Sequence, residues 1–163
     1  RKPLTSISPS MDIQVSSNFE RLLYDFYGKG EIVEKLLAEL EEKKEFSVSK
    51  TYLSRMKKIF MYGKLSDSET KKTIKKTYNK YKIVVDPHTA VGLSVGGTQL
   101  SKKEKRIYLA TAHYSKFIKT VKEAVGEKLD YPGKLRKILD KKEKFQIIEN
   151  NIDQLKVLIT KKN

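Results

Sequence analysis

The sequence predicts an α/β domain, rich in helices with a few parallel strands. Two observations carry this. Ile83-Val84-Val85 and Ile107–Thr111 are short β-branched or apolar runs that end abruptly in polar residues, as buried parallel strands do. Around them lie segments with apolar residues at helical spacing and caps at their ends. Ligands of open α/β sheets bind outside the carboxyl ends of the strands. Each run delivers a hydroxyl and an imidazole at that point: His88 with Thr89, and Thr111 with His113.

The 163 residues suffice for one domain with a real core. The chain has 35 Lys+Arg against 20 Asp+Glu, a net charge of +15. Nearly all of that excess is Lys spread over helical faces, which reads first as solvated surface. With no cysteine there is no disulfide frame, thiol nucleophile or cysteine metal site, and two histidines cannot build a His-rich metal site, so no metal is expected. No apolar run approaches a membrane span and no signal peptide is visible, so a cytoplasmic location is the expectation. The sequence opens on Arg1-Lys2-Pro3 without an initiator Met, which reads as the middle of something longer.

In chain order, residues 1–16 suit an extended lead-in, with Met11–Val15 alternating like a short strand. Ser17-Asn18-Phe19-Glu20 has capping-box spacing. It predicts a helix through Phe19, Leu22, Leu23, Phe26 and Tyr27 that stops at Gly28. Ser17 and Asn18 read as caps, or as a helix N-terminus facing an anion. Glu31–Lys44 is a second amphipathic helix, with Ile32, Leu36, Leu37 and Leu40 inward. Thr51–Tyr62 is a third, through Leu53, Met56 and Phe60. Ser66-Asp67-Ser68-Glu69 repeats the capping-box spacing and starts a fourth, with Ile74, Tyr78 and Tyr81 on one face and a cationic stripe of Lys71, Lys72, Lys75 and Lys76. Asp86-Pro87 breaks the first apolar run, and His88–Val95 follows as a short helix. Residues 96–106 read as a loop, whose Gly96-Gly97-Thr98 is only a weak phosphate-cradle signal. After the second run come a helix over Lys116–Gly126, a short one through Leu135, Ile138 and Leu139, and a terminal one capped by Asn151 with Ile152, Leu155, Leu158 and Ile159 inward. The implied organisation is a lead-in and first helix over 1–30, a helical excursion over 31–82, and the α/β core portion over 83–163.

No Ser-His-Asp constellation sits in an elbow context. Each histidine reads first as buried and satisfied. Thr111 is different because a strand ends there. A hydroxyl can hydrogen-bond a neutral ring nitrogen without protonating it, which would tune a pyridine-type cofactor as an electron sink.

The block from Ser8 to Leu23, Ser-Pro-Ser-Met-Asp-Ile-Gln-Val-Ser-Ser-Asn-Phe-Glu-Arg-Leu-Leu, resembles a signature of the threonine synthases of bacteria and fungi. Val85–Gly92 and Leu109–Phe117 resemble two further blocks of that family, in the same order. The resemblance implies the C-terminal portion of a tryptophan-synthase-β-like, fold type II pyridoxal-phosphate enzyme. The family converts O-phosphohomoserine and water to threonine and phosphate. By the resemblance, Thr111 faces the pyridine nitrogen, and His88, Thr89, His113 and Ser115 line or support the cofactor pocket. Ser17, Asn18 and Arg21 are candidates for the substrate wall. Tyr114 stands where the family usually has Pro. The Schiff-base lysine and the Gly-rich phosphate loop of the family belong to its N-terminal half. No lysine here sits in that motif, so no catalytic residue is assigned on this chain. The expectation is a fragment, inactive alone, whose partner is that N-terminal portion and whose exposed apolar surface favours self-association. The alternative is a basic, Lys-rich nucleic-acid-binding module. Against it, aromatics are not interleaved with Arg.

Overall fold

Alternating stretches of apolar and lysine-rich sequence fold into eight α-helices among the described residues, 5–99, 105–126 and 129–161 of a computed structural model. They are α1 (Ser17–Tyr27), α2 (Gly30–Lys43), α3 (Lys50–Lys57), α4 (Asp67–Tyr81), α5 (Pro87–Gln99), α6 (Ile118–Val125), α7 (Gly133–Leu139) and α8 (Ile152–Thr160). Contacts divide the chain into two units, residues 1–129 and 130–163.

The first unit holds two apolar clusters. In one, Leu23 of α1, Val33 of α2 and Met56 of α3 are buried, with Phe26, Tyr27, Leu36, Leu37, Phe46 and Val48 against them. The Tyr27 and Tyr52 rings pack at 4.0 Å between α1 and α3. In the other, Ile74 of α4, Ala90 of α5 and Val121, Ala124 and Val125 of α6 are buried, with Val84, Val85 and Phe117 packed against them. Helix α4 therefore lies in the interior assembly with α5 and α6.

The caps show which local signals decide. Ser66 N-caps α4 in a full capping box. It accepts from the Glu69 N–H at 3.3 Å, and Glu69 accepts from the Ser66 N–H at 3.0 Å. Asn151 caps α8, accepting from the N–H groups of Asp153 and Gln154. Helices α1 and α6 end on Gly28 and Gly126, both left-handed. At α1 the expected box is out of register by one residue. Ser16 is the N-cap, and the first helical bond runs from the Glu20 N–H to the Ser16 carbonyl, so Ser17 is already inside the helix and makes no cap bond.

Several expectations are corrected. Neither Ile83-Val84-Val85 nor Ile107–Thr111 is a strand, and no strand occurs among the described residues. A strand exists only as a ladder with a neighbour, and neither segment has one there. Val84 and Val85 still pack inward, whereas Ile107 is 92% exposed. Met11–Val15 is not a strand either: Pro9–Met11 forms a 3-10 turn. Helix α3 stops at Lys57, because Ile59, Phe60, Met61 and Tyr62 have no face to pack on and stay exposed. Helix α5 runs through Gly96-Gly97-Thr98, so those N–H groups belong to a helix and not to a phosphate cradle. Of the rest of that expected loop, residues 100–104 lie outside the described residues. In the second unit, α7 and α8 are as expected in place, but Ile152, Leu155, Leu158 and Ile159 are exposed; two short helices offer each other too little surface to bury them. Asp130 and Arg136 are ion-paired in this unit at 2.7 Å.

Two outcomes follow from this packing. Ile74→Ala removes a fully buried side chain from between three helices and should cost about 2–5 kcal/mol, read as a lowered urea midpoint. Ile107→Ala should stay within about 0.5 kcal/mol in the same measurement. The second outcome concerns acid. Hydrogen bonds from the Ser66 side chain and then its backbone hold the Glu69 carboxyl below the ordinary carboxylate range. Its contribution is present above that range and is lost as pH falls through the lowered folded value. Ser66→Ala should return the Glu69 titration upward, as followed by carbon-detected NMR, and flatten that part of the acid-stability curve.

Candidate functional site

Residues 105–112 form an irregular stretch outside any helix, bent at Ala112, ahead of a 3-10 helix, Tyr114–Phe117, that leads into α6. Thr111 lies in this stretch and is exposed. His113 caps the 3-10 helix: its Nδ1 accepts from the Ser115 N–H at 3.2 Å and from the Ser115 hydroxyl at 2.7 Å. Nδ1 is thus an acceptor, and the ring hydrogen resides on Nε2. Ser115 is buried and its hydroxyl is engaged, while His113 is exposed and stacks on Tyr114 at 4.4 Å.

Beside this turn lies the start of α5. Phe117 meets the His88 ring edge-on, with centroids 4.8 Å apart. His88 and Asp86 are only 4% and 1% exposed. The Asp86 carboxylate accepts from the His88 N–H at 2.9 Å, from His88 Nδ1 at 2.9 Å and from the Thr89 hydroxyl, with a longer contact to the Thr89 N–H at 3.4 Å. These bonds satisfy free N–H groups at the α5 N-terminus and place the acid at the positive end of the helix. Thr89 is buried with its hydroxyl on Asp86. His88 Nε2 accepts from the Ser10 N–H at 3.1 Å. The expectation of a buried, satisfied histidine is met at His88, while His113 is satisfied at Nδ1 but exposed.

The first block of candidates sits elsewhere on this unit. Ser17, Asn18 and Arg21 lie on the exposed first turns of α1, where the Arg21 guanidinium donates to the Asn18 side-chain oxygen. Ser17 and Arg21 border a groove of about 1440 Å³ between α1 and α2, floored by Val33, Leu37 and Leu40 and edged by Glu34, Glu41 and Lys44. The structure therefore brings His88, Thr89, His113 and Ser115 into one neighbourhood, and Ser17, Asn18 and Arg21 into another. Sequence reasoning missed Asp86 and Ser10. Asp86 is two residues before His88, which signals an acid at a helix start, but Ser10 is 78 residues away and carries no sequence signal.

The cationic stripe lies on α4. Lys71 bonds Glu123 of α6 at 2.8 Å, which holds that carboxyl below the ordinary range, while Lys72, Lys75, Lys76 and Lys80 are exposed. Among the described residues there is no cluster of three or more potential metal ligands, and no helix is long and apolar enough to cross a membrane.

The hydroxyls of Thr89 and Ser115 are already engaged within the protein, as are both nitrogens of His88.

Residues 89–159 match the family model described as threonine synthase, C-terminal. The threonine synthase of Pseudomonas aeruginosa is 33% identical over 158 residues, which span 95% of this chain and 34% of that protein. That of Saccharomyces cerevisiae is 35% identical, spanning 91% of this chain and 34% of its own length. Among solved structures, the PLP-bound threonine synthase of Brucella melitensis superposes with a TM-score of 0.82 at 34% identity, covering 98% of this chain and 34% of that one. The yeast enzyme gives 0.74 at 33% identity, covering 98% and 36%. The fold is that of part of a fold type II pyridoxal-phosphate enzyme. Within that class, the chain corresponds to a C-terminal portion of threonine synthase, and it spans about a third of the relatives that it matches.

Removing the acid at the start of α5 tests the site as described. Asp86→Ala leaves the Thr89 hydroxyl and His88 Nδ1–H without their acceptor in a buried place, and should cost about 3 kcal/mol in denaturant unfolding.

Proposed function

We propose that these 163 residues form one wall of the cofactor site of a threonine synthase that converts O-phosphohomoserine and water to threonine and phosphate. The observation that carries the reading is the superposition on a PLP-bound threonine synthase over 98% of the chain, at 34% identity. Pyridoxal phosphate, when bound, supplies an electron sink for the bonds to be broken. Thr111 would offer its hydroxyl to the pyridine nitrogen, as a group too weakly acidic to protonate it. His113 and Ser115 fix the turn after it through their mutual bonds. Asp86, with His88 and Thr89, supports that turn from the α5 side. Ser17, Asn18 and Arg21 present polar groups to the substrate wall, with Arg21 suited to an anionic phosphate.

The covalent anchor for the cofactor and the cradle for its phosphate come from the other two thirds of the enzyme. That portion is also the partner of this one. Ile83, Ile107 and Leu109 are exposed on non-helical segments that form no strand ladder among the described residues, and such apolar surface is what a neighbouring portion would cover. By themselves these 163 residues should release no phosphate from O-phosphohomoserine in the presence of pyridoxal phosphate.

The test is a chimera in which they replace the corresponding C-terminal part of the yeast enzyme. Phosphate release should be restored, and Thr111→Val should lower kcat at least tenfold while Thr111→Ser retains most of it. Phosphate release by the isolated residues, or a chimera indifferent to Thr111, would overturn the reading.

A further inference from the structure

We infer that His88 is a positioning residue, a neutral imidazole that pins the lead-in before α1 to the N-terminus of α5. The inference does not depend on the proposed reaction; it concerns how this chain holds its own parts together.

The ring is used at both nitrogens. Nε2 accepts the Ser10 N–H at 3.1 Å, so it carries no hydrogen. The ring hydrogen is therefore on Nδ1, where it is donated to Asp86 at 2.9 Å. Phe117 closes one side edge-on at 4.8 Å. A ring so held has one tautomer and one orientation, and its only remaining task is to hold Ser10.

What it holds is a braced segment. Asp12 accepts from the Ser6 N–H at 2.7 Å and the Ser6 hydroxyl at 2.9 Å. Within the same loop the Met11 N–H reaches the Ser8 carbonyl at 2.8 Å, and Ser8 is buried. The knot touches helix starts at two points: Asp67 of α4 accepts the Ile7 N–H at 3.1 Å, and His88 of α5 accepts the Ser10 N–H. The Asp67 contact is exposed and competes with water, whereas the His88 contact is part-buried, with its acceptor ring in the interior and Ser10 at the surface. Ser10 is followed within seven residues by the first residue of α1. His88 thus joins the cluster built on α4, α5 and α6 to the cluster built on α1, α2 and α3. It sets where Ser17, Asn18 and Arg21 begin relative to α5.

The two amide variants separate this role from mere packing. Asparagine can place a donor near the Nδ1 position but cannot reach Ser10. Glutamine can place an acceptor near the Nε2 position. In nitrogen-15 NMR of the whole chain, the wild-type ring should show hydrogen on Nδ1 only, with a coupling across the Ser10 N–H to Nε2. The Ser10 amide should exchange more than tenfold faster in His88→Asn, and His88→Gln should recover much of that protection. Dipolar couplings of α1 relative to α5 should change in His88→Asn and return in His88→Gln, while α4 amides keep their protection. A wild-type ring with hydrogen on Nε2 overturns the inference. So does a Ser10 amide that exchanges equally in wild type and His88→Asn, or a glutamine variant no better than asparagine. Should His88→Asn fail to fold, the wild-type ring signals and the coupling to Ser10 decide alone.

Discussion

A carboxyl group taken out of water is tolerated only when its oxygens are bonded, and the first unit is arranged around one such group. Asp86 is buried where a non-helical segment becomes α5. Its oxygens collect the His88 N–H, the His88 ring and the Thr89 hydroxyl. Pro87 follows it without an N–H to satisfy, so the helix can begin directly behind the acid. From this one anchor the chain reaches three ways: back to the lead-in through His88, across to Phe117 and the turn that follows Thr111, and down α5 to Ala90 in the apolar cluster.

The division of labour among the polar residues follows. The buried Asp86, His88 and Thr89 bond one another and the Ser10 N–H, while the buried Ser115 bonds the exposed His113 through both its N–H and its hydroxyl. Of the exposed candidates, His113 is engaged at Nδ1 and Arg21 bonds Asn18, whereas Thr111 and Ser17 stand at the surface. A side chain engaged by its own fold is less at hand for a ligand, so the buried group frames the turn and the exposed hydroxyls are what it presents.

Much of the helical content was legible in residues. Ser66 and Asn151 announce their helices because a cap is a local hydrogen bond, and Gly28 and Gly126 stop theirs because only the backbone decides there. The α1 start was off by one, since Ser16 and Ser17 are chemically equal and the packing of Leu23 chooses between them. The strands were not legible in this form. Ile83–Val85 and Ile107–Thr111 have strand composition, but pairing is a property of two segments and not of one. The inward face expected of α8 failed similarly: periodicity marks an apolar face without supplying what covers it. Around the candidate site, the helix that starts behind Asp86 was readable, while the bond from Ser10 to His88 belongs to the fold alone.

Tyr108 rests on α5 at Gly96, where an added β-carbon would stand 3.0 Å from the ring. Tyr108 is three residues before Thr111. The bare α-carbon at 96 thus leaves the Tyr108 ring room to lie against the helix, and an alanine there would oblige the ring to give way by a few tenths of an ångström. Spacing along the chain ties that ring to the stretch that carries Thr111, so a side chain too small to count is one of the contacts that seats this stretch on α5.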